Sequence, residues 1–179
     1  MKKLLVMISV LVLVLGMAGC GKDNDSAEGT GTLDMSNVKT IVTDLLGDNY
    51  FPNMELDPEM LEFVTGITSD LYEEYFAEIP MISTNVDTLI VIKAASGKAD
   101  AVEEALNSYR NAQVANTMQY PQNVGKIQAS KVERIGDYVI FTMLGGDVFD
   151  LLDQGDEAVI AYCQEVNDSV IEAIREAMQ

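Results

Sequence analysis

The chain has 179 residues, 29 acidic against 11 basic side chains, a formal net charge of −18, and neither histidine nor tryptophan. Such an excess of carboxylates excludes a nucleic-acid phosphate backbone as partner, because binding there depends on Lys and Arg displacing counterions. The missing histidine excludes a Ser–His–Asp triad, a Cys–His nucleophile and a His-based zinc site.

Met1-Lys2-Lys3 supplies a positive start, and Leu4 to Leu15 is apolar apart from Ser9. Gly16-Met17-Ala18-Gly19-Cys20 closes the segment with small residues before a cysteine. The layout resembles the lipobox of bacterial lipoproteins. That resemblance implies a diacylglyceryl group on Cys20 and signal cleavage between Gly19 and Cys20. A membrane span needs about 20 apolar residues, more than this run holds. An ordinary secretory signal would leave the cysteine as coincidence. Two acyl chains hold a protein to a bilayer where one does not. The expected organisation is a signal peptide over residues 1–19, a lipidated cysteine with a disordered tether over 20–34, and one globular domain over 35–179. Without residues 1–19 the chain keeps 9 basic against 29 acidic side chains, a net of −20. An anionic membrane surface repels such a domain, so the lipid must do the attaching.

Gly21 to Thr32 is polar and glycine-rich, with nothing to bury. As a flexible chain it spans roughly 20 Å. Asp23 and Asp25 hint at a calcium loop, but the later ligands and the glycine of an EF-hand are missing. Structure is expected near Ser36, where Val38, Ile41, Val42, Leu45 and Leu46 recur at helical spacing until Gly47. Asp57-Pro58 starts a second helix that Gly66 ends, and Thr68 is expected to cap a third through Tyr75. A strand is expected over Phe76–Ser83, at an edge because of Pro80. Thr88-Leu89-Ile90-Val91-Ile92 predicts a strand buried on both faces. A long helix follows Ser96-Gly97-Lys98 until Tyr120-Pro121. Strands are expected over Ile127–Ile135 and Tyr138–Leu144, joined by a Gly136-Asp137 turn. A short helical turn over Val148–Leu152 then leads past Gly155 into a helix of about 22 residues. Cys163 sits in its apolar stripe and is expected in the core rather than in redox chemistry. The expected fold is α+β: two layers, a mainly antiparallel four-stranded sheet from two hairpins, and helices on one face.

Several blocks resemble an uncharacterised family of bacterial lipoproteins, typical of Gram-positive anaerobes, known as domain of unknown function 4358. They are Phe51-Pro52-Asn53-Met54, Gly66-Ile67, Glu73-Glu74-Tyr75, Ile79-Pro80-Met81, Val86 to Lys93, and Gly136 to Phe141. The resemblance covers roughly residues 38–150 and departs at the C-terminal helix. It implies a location on the outer side of the cell membrane, and it brings no activity, cofactor or functional residue.

Two candidate sites remain. Asp147, Asp150, Asp153, Asp156 and Glu157 crowd one segment and are candidates for acid–base work or calcium binding; the alternative is a solvated face near a helix N-terminus. Phe51, Pro52, Asn53 and Met54 form a bulky apolar connector, a candidate interaction patch. Nearby methionines lack the short repeat expected of a copper site. The leading expectation is a non-enzymatic, membrane-tethered module that binds an envelope protein or a small ligand, with no cofactor and no metal. The alternative is a carboxylate-dependent enzyme or calcium-dependent binder built on Asp147–Glu157. An accessory lipoprotein of a transporter would need a longer chain to form two lobes.

Overall fold

The computed structural model describes residues 31–179, so the signal segment, Cys20, the Asp23/Asp25 pair and most of the expected tether lie outside it. A 3₁₀ turn (Met35–Asn37) runs into α1 (Val38–Leu46), and a second turn (Gly47–Asn49) leads to β1 (Met54–Glu55). Then come α2 (Pro58–Thr65), β2 (Tyr72–Ile79), β3 (Thr88–Ala94), α3 (Ala99–Ala115) and α4 (Pro121–Ala129). The chain closes with β4 (Lys131–Ile135), β5 (Tyr138–Met143), a 3₁₀ turn (Phe149–Gln154) and α5 (Asp156–Glu176).

The strands form one antiparallel sheet in the order β1-β2-β3-β5-β4. The α+β class and the two hairpins match the sequence expectation, with β1 added as a fifth strand. Local chemistry sets several boundaries directly. The Asp57 side chain accepts from the Met60 N–H, Pro58 occupies the first turn of α2, and Gly66 closes it in the left-handed region. Gly136, at φ 61°, makes the two-residue β4–β5 turn in register with Ile135 opposite Tyr138.

Helices cover both faces of the sheet, not one. Ile90 and Ile92 of β3 pack with Leu61 of α2 and Val102 and Leu106 of α3. Leu89 and Val91 point the other way, onto Val38 and Val42 of α1 and Val170, Ile171 and Ile174 of α5. The continuous apolar run of β3 requires this arrangement, since alternate side chains leave opposite faces of a strand. Leu33 is also buried in the second core, its N–H donating to the Tyr138 hydroxyl at 3.1 Å. Ordered packing therefore begins ahead of residue 35.

Two elements differ from expectation for identifiable reasons. The segment expected to be a capped helix through Tyr75 is the first half of β2. Tyr72, Tyr75, Phe76 and Ile79 have helical spacing, but a bulge between Tyr72 and Glu74 resets the strand alternation. Tyr72 and Tyr75 thereby share a face, their rings 5.0 Å apart edge to face. β2 ends at Ile79, so Pro80 terminates the strand instead of lying within an edge. Residues 127–129, expected to be strand, finish α4. That helix buries Asn123, Gly125 and Lys126 among its inward positions and so carries no apolar stripe to read.

Candidate functional site

Two carboxylates are fully buried at the same end of the sheet, where β2 ends and β3 begins. Asp87 immediately precedes β3 and is 0 % exposed; Lys126 of α4 is 2 % exposed. Lys126 Nζ lies 2.5 Å from Asp87 Oδ1 and 2.6 Å from the Gly146 carbonyl. The other carboxylate oxygen accepts from the N–H groups of Gly145 (3.2 Å) and Gly146 (2.8 Å). Two successive backbone amides thus form a small nest around the anion. Gly146 can make it because its φ is +60°, and a Cβ there would meet Asn49 Cβ at 2.6 Å. Burial pushes the Asp87 carboxyl up; the Lys126 cation and the nest oppose that shift.

Cys163 of α5 completes the enclosure from the other side, close against Gly145. Burial raises its thiol to about 11, so it stays protonated and behaves as a small apolar residue. This agrees with its expected place in the core.

The second buried acid, Glu78 of β2, receives Lys39 of α1 at 2.6 Å and the Tyr50 hydroxyl at 2.7 Å. Burial and the neighbouring carboxylate hold the Tyr50 phenol far above its usual range. Lys39 keeps 49 % of its side chain exposed, so this pair reaches solvent where Asp87–Lys126 does not.

The connector before β1 spans both acids. Tyr50 bonds Glu78, the Phe51 ring lies 5.5 Å from Lys126 Nζ, and the Asn49 side chain accepts from the Asp147 N–H at 3.3 Å. Of the candidate interaction patch Phe51, Pro52, Asn53 and Met54, only Asn53 is exposed. Phe51 is half-buried, Pro52 buried and Met54 part of β1, while exposed Asn53 accepts from the Met81 N–H at 2.8 Å. A bulky connector has a packing role here: it caps a charged centre that water would otherwise reach. The exposed apolar side chains lie elsewhere, including Phe63, Met81, Ile82, Met118 and Phe149.

Asp147, Asp150, Asp153, Asp156 and Glu157 all face solvent. Asp147 closes a local turn by accepting from the Phe149 N–H at 3.0 Å. Among the described residues, no three acidic or cysteine side chains converge as a metal would require. A cavity of about 380 Å³ opens instead beside β2, lined by Ser36, Lys39, Glu55, Tyr75, Phe76 and Ala77. Sequence reasoning missed Asp87, Glu78 and Lys126 as a group. The available signal was an acid standing beside or inside a strongly apolar strand, which needs a buried partner.

No curated protein and no solved structure matches the chain significantly. The family model described as "Domain of unknown function (DUF4358)" matches residues 46–144, from the end of α1 to the residue after β5. That span holds the entire sheet, both buried acids and Lys126, and omits α5. The chain belongs to the family named domain of unknown function 4358.

Proposed function

We propose that this protein is a lipid-anchored, extracytoplasmic binding module of the bacterial cell envelope, working without catalysis of its own. The N-terminal pattern ending at Cys20 supports the anchor, with its diacylglyceryl group in the bilayer and the acidic domain held off the surface. The observation that carries the binding role is a contrast in access. The fully enclosed charges, Asp87 and Lys126, are sealed and offer no substrate a way in. The open cavity beside β2 presents Lys39, Glu55 and Tyr75 to solvent, groups that a bound partner can meet. The carboxylates of Asp147–Glu157 are exposed and, among the described residues, form no group of three that could hold a metal, which favours the binding reading over the calcium alternative.

Intact mass spectrometry of the native protein tests the anchor. The expected product begins at a diacylglycerylated Cys20. A bare Cys20, or residues 1–19 still attached, overturns it. Crosslinking in intact cells tests the role: a specific neighbour is expected from the anchored protein, and none from a Cys20→Ala form released from the membrane.

A further inference from the structure

The two edges of the sheet are treated differently by the chain. β4 is guarded in the manner of natural edge strands, with its charges tied to helices on both faces. Lys131 pairs with Asp168 at 3.0 Å, Glu133 with Arg175 at 3.1 Å, and Arg134 with Asp100. At the opposite side β1 covers only the last residues of β2, pairing Met54 with Ile79 and Glu55 with Glu78.

The register fixes what the rest of β2 presents. The Ala77 carbonyl faces out, accepting from the Leu56 N–H at 3.0 Å, so alternation turns the backbone groups of Glu74, Phe76 and Glu78 toward β3. Alternation therefore aims the N–H and C=O of Tyr75 outward as well, beyond Glu78 and Ile79 where β1 pairs, and among the described residues no backbone bond from outside the strands reaches them. The Tyr75 hydroxyl donates to the Leu56 carbonyl at 2.9 Å, and the chain leaves the edge just beyond, where Asp57-Pro58 starts α2. The cavity of about 380 Å³ lies at this departure point, so an open strand edge and a side-chain pocket adjoin.

From this juxtaposition we infer that the free edge of β2 accepts an extended basic segment of a partner protein as an added strand, its side chains entering the cavity. The inference rests on the binding-module reading and names its partner class. Backbone pairing supplies affinity in such complexes, and pockets for alternate side chains supply selectivity. Charge selects the occupant. Glu55 and Glu74 are exposed and make no salt bridge among the described residues, while Glu73 is answered by Lys93 at 2.8 Å. Lys39, the cation lining the cavity, is already engaged by Glu78. A second copy of this chain would set like carboxylates opposite each other, which destabilises cross-strand pairs. The chain's own residues 20–30 carry Asp23, Asp25 and Glu28 against Lys22 alone, and are repelled likewise. Lys or Arg at alternate positions of an incoming strand meets both free glutamates.

Fluorescence polarisation with the full chain in mild detergent tests this, using labelled peptides of alternating Val/Lys and alternating Val/Glu. The Val/Lys peptide is expected to bind, more weakly as salt rises, and the Val/Glu peptide is expected not to. Tyr75→Pro removes the outward N–H while leaving the β3 bonds of residues 74 and 76, and is expected to weaken binding by about tenfold or more. Should that variant fail to fold, the double substitution Glu55→Lys and Glu74→Lys decides, with preference expected to reverse toward the Val/Glu peptide. Equal binding of the two peptides, wild-type affinity in folded Tyr75→Pro, or unreversed preference in the lysine variant overturns the inference. Loss of peptide binding with cellular crosslinking intact removes the edge site alone. Loss of the crosslinked neighbour removes the module reading too.

Discussion

Asp87–Lys126 and Glu78–Lys39 are the same chemical pair placed in two environments at one end of the sheet. In the first, both side chains are enclosed and every oxygen of the carboxylate is occupied by Lys126 or by the Gly145–Gly146 amides. In the second, the acid is enclosed but the lysine is half in water, and a tyrosine supplies the other bond. The difference shows what each pair does. The sealed pair locks four separate segments together: the entry to β3, the exit from β5, α4 and, through Phe51, the connector. The half-open pair ties α1 and the connector to β2 beside a cavity, where a charged head in solvent can still respond to a visitor. A buried ion pair is a poor source of net stability, because desolvation offsets attraction, but breaking one is expensive.

The largest test of that contrast is Lys126→Ala, which strands Asp87 without its cation. A loss of about 3–5 kcal/mol is expected in chemical denaturation. A loss under about 1 kcal/mol would mean that the nest alone satisfies the carboxylate. Lys39→Ala should cost less, about 1–3 kcal/mol, because Tyr50 remains bonded to Glu78 and water reaches the vacated position. If the two lysines cost the same, enclosure is not what separates the pairs.

The smallest effect is expected from Cys163, which senses how dry the sealed centre is. Its thiol ionises near 9.0 in the unfolded chain and about 11 when folded. Between those values the unfolded chain loses the proton that the folded one keeps, so stability falls as pH rises through that window. Below it the contribution is constant. A comparison of denaturation midpoints for wild type and Cys163→Ala across that range isolates the slope. A thiol reagent should also leave Cys163 unmodified in the native protein at neutral pH and label it in urea. Rapid labelling of the native form would show that water enters the centre.

Much of this architecture was legible from particular residues. Asp57-Pro58 with Gly66, Gly136-Asp137 between apolar runs, and the stripe through Cys163 each encode their element within a few neighbours. The candidate site was far less legible. The packing role of Phe51 was hidden because its partner Lys126 is 75 positions away in a helix with no apolar stripe. Asp147 to Glu157 are close in sequence, but all five side chains are exposed, as the solvated-face alternative expects. The first half of β2, up to Tyr75, looked helical because a bulge gives strand side chains a spacing that helices share.

By itself the sequence determined what depends on near neighbours: the caps, the turns, the α+β class, the burial of Cys163 and the absence of histidine chemistry. Only the tertiary structure decided that helices lie on both faces, that Asp87 meets Lys126, and that β1 pairs only the last residues of β2 among the described residues. Those outcomes depend on contacts between segments dozens of residues apart, where the energy of burying a charge or covering an edge depends on the whole assembly.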